Sequence, residues 1–405
     1  MSGIAPAEFE VLARLDGQRG ALLAQIEAWA AINSGSRNLA GVASMADILS
    51  AAFAPLGADI RRLAPATATQ ITPDGREQPL AHGDNLHIVM RAAAPVRVLL
   101  TGHMDTVFGA DHPFQACRWL DADTLNGPGV ADMKGGIAVM LAALTAFEAS
   151  PFAERLGWEV VLNSDEEVSS PGSAALLAEA ARRCHLGLTY EPALPDGTLA
   201  GARAGSGNFS ATVHGRAAHA GRNPADGRNA VLAAADLALR LAAQAGDDLS
   251  ANPAKIDGGG PNNIVPDVAV LRWNMRPRSA AAQMRAEAGI NEAVAAVALA
   301  HDVHIHVHGC FARPPKPLDP NQQRLFDLVK DCGAALGLAI GWRDTGGVCD
   351  GNNLAATGLA VVDTLGVRGG AIHSSDEFLC ADSLEERARL SALLLMRVAQ
   401  HGWRR

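Results

Sequence analysis

Apolar and polar positions switch between two periods along the chain. Over residues 21–32 and 41–54, Leu, Ile, Ala and Val recur at helical spacing, and the turn-forming Asn33-Ser34-Gly35-Ser36 separates the two segments. Val96-Arg97-Val98-Leu99-Leu100-Thr101 is a short β-branched run that predicts a buried strand. A long helical stretch from Gly135 to Ala149 follows Asp132-Met133-Lys134. A strand over Trp158–Asn163, a helix across 172–183 and a strand over Leu186–Tyr190 come next. Strands alternating with helices predict a parallel or mixed sheet covered on both faces.

The pattern changes after about residue 205. Asn208–His214 alternates like a half-exposed strand, 228–244 is helical, and a strand within Val265–Met275 follows a Gly-Gly-Gly-Pro turn. A helix over 280–300, an alternating strand over 303–308 and a strand near Ala254–Asp257 complete a β-α-β-β-α-β order, that of a ferredoxin-like module. The Pro-rich Arg313-Pro314-Pro315-Lys316-Pro317 closes this insertion, and helix–strand alternation then resumes. The expectation is an α/β domain over 1–204 and 315–405, interrupted by an α+β domain over 205–314.

Composition narrows the classes. With 48% hydrophobic and 19% charged residues, the chain has enough apolar side chains to offset its ordering entropy. Its 41 Gly and 21 Pro follow no period, which excludes collagen-like and low-complexity chains. A net charge of −9, and lysines only at 134, 255, 316 and 330, leave no basic stripe, so no nucleic-acid partner is expected. The six cysteines (117, 184, 310, 332, 349, 380) are scattered without a CxxC pair and are expected to be reduced and mostly buried. No positively charged segment precedes an apolar run near Met1, so no signal peptide is expected. The longest apolar stretches, such as Gly135–Phe147, fall short of the ~20 residues a bilayer requires. A cytoplasmic protein without a membrane partner is the resulting expectation.

Four motifs follow the predicted strands of the larger domain or open its helices: Gly102-His103-Met104-Asp105, Asp132-Met133-Lys134-Gly135-Gly136, Ser164-Asp165-Glu166-Glu167 and Tyr190-Glu191-Pro192. A fifth, Ile372-His373-Ser374-Ser375-Asp376-Glu377, follows the apolar run Leu359–Leu365. In open α/β sheets, ligands bind beyond the carboxyl ends of the strands. Two histidines and at least five carboxylates gathered there would repel unless divalent cations offset the charge. Mixed imidazole and carboxylate ligands fit zinc, with manganese or cobalt as substitutes. Two His and three carboxylates suffice for two ions if one carboxylate bridges. The adjacent Glu166-Glu167 could then supply a base and a ligand.

These motifs resemble those of the di-zinc amidohydrolase family that includes carboxypeptidase G, aminoacylase, acetylornithine deacetylase and succinyl-diaminopimelate desuccinylase. The likeness runs from Asn33-Ser34-Gly35-Ser36 to Ser374-Ser375-Asp376-Glu377, and the pattern of carboxypeptidase G, with Glu at the position of Glu191, is the most similar. The resemblance implies a zinc-peptidase-like catalytic domain with an inserted ferredoxin-like lid and dimerisation domain. It implies two Zn2+ per subunit, with Asp132 bridging, His103 and Glu191 on one ion, and Glu167 and His373 on the other. Glu166 takes the place of the general base that deprotonates the zinc-bridging water, and Asp105 that of the carboxylate holding His103. His219, in Gly215-Arg216-Ala217-Ala218-His219-Ala220-Gly221, matches the histidine that enters the partner subunit's site and stabilises the oxyanion. Asn263 and Arg276 match positions that bind the substrate's carboxylate.

The implied reaction is hydrolysis of an N-acyl or peptidyl amino acid, N-acyl-glutamate among them, to release the free amino acid. Where carboxypeptidase G carries an Arg directly before a Thr-Gly-Gly-Gly-Thr-Asp run, this chain has Asp344-Thr345-Gly346-Gly347-Val348-Cys349-Asp350, with Arg343 one place earlier. A deacylase or dipeptidase with another specificity is therefore the alternative. Gly346 and Gly347 remain candidates for close approach to a substrate backbone. A catalytically silent binding protein of the same fold is a further alternative, but it would not need Glu166 together with all five ligand positions.

Several motifs have plainer readings. Lys134 could bind substrate, or pair with a carboxylate or cap a loop carbonyl. His304, His306 and His308 share a strand face but fall on the smaller domain's last strand, and with His301 read as a half-exposed polar face. Asp344 and Asp350 are expected to be structural. Ser206, Ser374 and Ser375 lack the Gly-x-Ser-x-Gly elbow of a serine hydrolase.

Overall fold

The computed structural model describes residues 3–404, so Met1, Ser2 and Arg405, at the outer ends of the expected catalytic segments, lie outside the described residues. The larger body is built on a six-stranded sheet in the order Asp59–Leu63, Asn85–Met90, Gly157–Asn163, Arg97–His103, Leu186–Thr189 and Ala360–Val362. The last four strands are parallel and the other two pairings antiparallel, which makes the sheet mixed. Alternation sorts the side chains of these buried strands. Val98, Leu100, Val160 and Leu162 enter the main core, which includes helices Gly136–Glu148 and Ser383–His401. Leu99, Val161 and Val361 face the other way, against helices Ala174–Arg183 and Asp350–Ala355. Each buried Leu or Val adds about 1.5–3 kcal/mol of transfer free energy, so the strands that carry the candidate motifs at their ends are anchored from both faces.

The smaller body is a four-stranded antiparallel sheet, ordered Leu249–Gly258, Val268–Pro277, Ser206–His214 and His304–Arg313. Helices Ala230–Ala242 and Ala280–His301 cover one face, giving the ferredoxin-like order. Val213, Leu237, Leu271 and Trp273 belong to a core separate from the main one, in which Phe209 stacks on Trp273. The two chain crossings between the bodies pair with each other: Arg203 N donates to Lys316 O (2.9 Å) and Lys316 N to Arg203 O (3.0 Å). Both side chains converge on buried Asp363, at 2.8 Å from Arg203 Nε and 2.9 Å from Lys316 Nζ.

Several elements differ from the sequence pattern. The strand expected within Val265–Met275 is Val268–Pro277; Pro266, which has no N–H for a ladder, separates it from Ile264–Val265. Ile264–Val265 instead pairs with Ala218–His219, and Val268–Pro277 joins the sheet. Strands Asp59–Leu63 and Asn85–Met90, and helix Pro6–Leu12, lay outside the periodic segments. Asp59–Leu63 is a partly exposed edge with two arginines, so its apolar signal is weak.

Two stretches, Leu39–Leu56 and Val130–Glu148, are long and apolar enough to cross a membrane, contrary to the expectation from sequence. The second is 89% buried in the core, and the first packs Val42, Met45, Leu49 and Phe53 inward. No disulfide joins the six cysteines among the described residues; Cys184, Cys332 and Cys349 are buried, while Cys310 is exposed. His304, His306 and His308 lie on the smaller body's last strand, where His308 Nε2 is 2.9 Å from Thr69 Oγ1.

Candidate active site

Three of the candidate motifs follow parallel strands directly. His103 ends strand Arg97–His103, the Glu166–Val168 turn follows Gly157–Asn163, and Glu191 lies just beyond Leu186–Thr189. Asp132 lies in the segment Val130–Gly135, which opens helix Gly136–Glu148 and contains a cis Asp132–Met133 peptide. That helix starts against Glu191's strand because residue 136 is glycine; a Cβ there would collide with the Tyr190 carbonyl oxygen. His373 is carried by the loop between Gly369–Gly370 and Phe378–Cys380, where Ala371 (φ +51°) and His373 (φ +63°) occupy the left-handed region. Non-glycine residues there are strained; Ser374 Oγ donates to Ala371 O at 2.7 Å, and His373 meets Asp132 and Glu167.

These five side chains converge. His103 Nε2 lies 3.1 Å from Asp132 Oδ1 and 3.9 Å from Glu191 Oε2. His373 Nε2 lies 3.3 Å from Asp132 Oδ2 and 3.1 Å from Glu167 Oε2. Asp132 thus offers one oxygen to each imidazole. Within each triad, His103–Asp132–Glu191 and Asp132–Glu167–His373, the donor atoms lie within 4.8 Å of one another, close enough to hold a metal ion.

The electrostatics fit a cation site. Burial raises the Glu191 carboxyl, and it lifts Glu167 to about 7, in both cases with the Asp132 charge adding to the effect. At Asp132, burial acts upward, but hydrogen bonds from His103 and His373 outweigh it and hold the carboxyl well below its usual range. His373 is raised to about 11 by its bonds to Asp132 and Glu167. For His103, burial opposes protonation, yet Asp105, Asp132 and Glu191 together push the imidazole well above its ordinary value. The carboxylates thus favour positive charge on both imidazoles, a balance that divalent cations would supply instead.

The surroundings of Glu166 were only partly legible in sequence. Its Oε1 receives Arg313 Nη2 at 2.6 Å, while Arg313 Nη1 reaches Asp350 Oδ1 at 2.7 Å. Burial raises the Glu166 carboxyl well above its ordinary value, against the pull of the Arg313 charge. Asp105 differs from the expected arrangement. The partner of His103 Nδ1 is the Asp105 main-chain oxygen, at 2.9 Å, with the Asp105 carboxylate at 3.5 Å. That carboxylate is occupied elsewhere, accepting from Ser36 Oγ (2.7 Å) and from the backbone N–H groups of Glu166 and Glu167 (both 3.2 Å). It holds the turn bearing the glutamate pair.

The triads form one wall of a cavity of about 780 Å³ between the two bodies. Arg276, Gly346 and Gly347 line it, as do Arg343 and Asp344. Arg276 Nη1 donates to Gly346 O at 3.0 Å, bridging the bodies. His219 and Asn263 do not line it. They sit together on an exposed part of the smaller body, where Ala220 N donates to Asn263 O at 2.9 Å. Lys134 also points away: its buried Nζ caps the carbonyls of Trp29 (3.1 Å) and Ile32 (2.9 Å). Asp350 pairs with Arg313, and Asp344 Oδ1 accepts from Ala202 N at 2.8 Å. Sequence reasoning passed over Arg313 as part of a Pro-rich crossing; the strand read over 303–308 in fact runs on to Arg313 and carries it to the larger body.

With this geometry in place, comparison with known proteins decides the family. Residues 99–397 match peptidase family M20/M25/M40. The chain belongs to that family. Similar curated proteins include carboxypeptidase G2 of Pseudomonas sp. (strain RS-16), 27% identical over 387 residues that cover 94% of this chain and 89% of that protein. Succinyl-diaminopimelate desuccinylase of Maricaulis maris (strain MCS10) is 28% identical over 336 residues, covering 76% of this chain and 83% of that protein. A tripeptidase structure from Staphylococcus aureus shares the fold with a TM-score of 0.73 at 22% identity, over 95% of this chain and 99% of that one. This M20/M25/M40 member is accordingly a metal-dependent hydrolase of the peptidase and amidohydrolase type.

Proposed function

We propose that the protein binds two zinc ions and hydrolyses the amide bond of an N-acyl or peptidyl amino acid, releasing the free amino acid. The carrying observation is the placement of Asp132, one oxygen toward each histidine, at the centre of two triads. A peptidase from Bacillus subtilis with the same fold is described as dinuclear and metal-binding. His103 and Glu191 would hold one ion, Glu167 and His373 the other, with Asp132 shared. When bound, the ions supply carbonyl polarisation and a water of lowered pKa; manganese or cobalt suit the same donors.

Glu166, outside both triads but lining the cavity, would accept the proton of the attacking water and return it to the departing nitrogen. Arg276, which lines the cavity, would receive the substrate carboxylate with its planar fork. Doing so would draw on the guanidinium that now bonds Gly346 O, coupling substrate to the closure of the two bodies. Gly346 and Gly347 leave the wall open to a substrate backbone. His219 and Asn263 reach no part of their own chain's cavity, which supports a homodimer formed through the smaller body, with the partner subunit's His219 stabilising the oxyanion. In that reading residues 205–314 are the lid and dimerisation domain, and 1–204 with 315–405 the catalytic domain.

A deacylase or dipeptidase specificity other than glutamate is favoured by one feature, Asp344 beside Arg343 on the cavity wall, which opposes a second substrate carboxylate there. The test is amino-acid release from a panel of N-acyl amino acids, N-aroyl amino acids and dipeptides. Release of free amino acid supports the reading, and the preferred residue assigns the specificity. No release across the panel from zinc-loaded protein would contradict it and favour a silent binding protein.

A further inference from the structure

We infer that Glu377 is a positioning residue for Asp132 and sets the affinity of the metal centre without touching substrate. The inference rests on the two-ion reading. The Glu377 side chain accepts three backbone hydrogen bonds from the segment that carries Asp132. Its Oε1 receives the N–H groups of Ala131 and Asp132, both at 3.0 Å, and its Oε2 that of Gly129 at 3.2 Å. The main-chain oxygen of the same residue accepts from Gly127 N (3.2 Å) and Asn126 Nδ2 (2.7 Å). One residue therefore moors the backbone from 126 to 132 at both ends.

Glu377 is 1% exposed, and among the described residues no basic side chain forms an ion pair with it. Lys134, the basic residue next along the segment, spends its Nζ on Trp29 O and Ile32 O. A buried carboxylate without a cation partner is expensive, and a neutral apolar residue would serve a merely packed position. The N–H groups explain the choice. Left without an acceptor they would be orphaned donors in the interior, and the segment would be free to turn. Asp132 Oδ1 and Oδ2 must face His103 and His373 together for a shared-carboxylate site, which fixes the orientation of its backbone. The Glu377 segment also begins at His373, whose Nε2 is 3.3 Å from Asp132 Oδ2. The loop that delivers one ligand thus orients the carboxylate both triads share. Outer residues that orient ligands change metal affinity when removed, typically 10–100-fold.

Glu377→Gln puts an amide nitrogen against a backbone N–H and keeps the volume; Asn126→Ser loosens the same segment from its other end. For wild type and both variants, zinc affinity is measured by competition with a chelating dye, the Co2+ absorption spectrum is recorded, and melting of the metal-free proteins reports folding. The expected result is a 10–100-fold weaker zinc affinity in Glu377→Gln, an altered cobalt spectrum, and kcat recovering at saturating zinc with KM unchanged. Asn126→Ser is expected to shift in the same direction, so the test stands even if Glu377→Gln folds poorly. Variants with wild-type zinc affinity and cobalt spectrum, whether or not their melting changes, overturn the positioning role alone. Wild-type protein that binds no zinc overturns the two-ion reading, and this inference with it.

Discussion

Arg313, the last residue of the smaller body's final strand, places Nη2 2.6 Å from Glu166 Oε1 in the larger body. The same guanidinium holds Asp350 at 2.7 Å and donates to Ser170 Oγ at 3.0 Å. Arg313 is fully buried, so its removal would leave two carboxylates in the interior without their cation. Breaking a buried pair from one side costs about 3–5 kcal/mol. Arg313→Gln is therefore expected to lower the unfolding free energy of the metal-free protein by about that amount, measured by urea titration. A loss below about 1 kcal/mol would mean that the pair behaves like a surface contact.

Glu166 lines the cavity but belongs to neither triad. Glu166→Gln is expected to keep the metal content of the wild type, measured by elemental analysis, and to lose about 10²–10⁴-fold in kcat. Retained turnover would remove Glu166 from the role of base. Loss of the metals would instead assign it as a ligand.

In the proposed two-ion site, protons and metals would compete for the same nitrogens. His373 is raised to about 11 by its bonds to Asp132 and Glu167, and His103, against its burial, is raised by Asp105, Asp132 and Glu191, so the metal-free site favours the protonated imidazoles. A histidine must be neutral to bind a metal. Zinc binding at pH 7 is accordingly expected to release protons, and affinity to fall as pH falls because the protonated form gains population. Calorimetry in buffers of different ionisation enthalpy measures the count. Zero release would show that the imidazoles are not ligands.

The five-residue cluster was legible in the sequence because His, Asp and Glu stand out at the ends of apolar strands (His103, Glu167, Glu191), at the opening of an apolar helix (Asp132) and after the apolar run Leu359–Leu365 (His373). The ferredoxin-like order was legible from period once a strand was allowed near Ala254–Asp257, which the structure has as Leu249–Gly258. What escaped was carried by contacts that leave no period. The Asp105 carboxylate bonds backbone N–H groups of the glutamate turn, and Glu377 bonds those around Asp132; backbone donors have no signature in side-chain pattern. Asp59–Leu63 escaped because an edge strand with exposed arginines has little apolar contrast. Lys134 was ambiguous until its nitrogen could be seen capping two carbonyls at a helix end.

His219 offers a test of the subunit arrangement. It is exposed on its own chain and absent from that chain's cavity. His219→Asn and Glu166→Gln are each expected to be nearly inactive alone. Co-refolded as an equal mixture, they are expected to recover about a quarter of wild-type activity, because half of a two-fold dimer population carries one complete site. No recovery, in a sample shown to contain mixed dimers, would place His219 outside the partner's site.

The most direct test of the central claim is a zinc titration of the metal-free protein with amino-acid release as the readout. Activity is expected to be absent after chelation, to rise as zinc is added, and to level off at about two equivalents per chain, as a dinuclear site requires. Full activity in protein shown to be free of metal, or a plateau reached at about one equivalent, would contradict a shared-carboxylate centre built on Asp132.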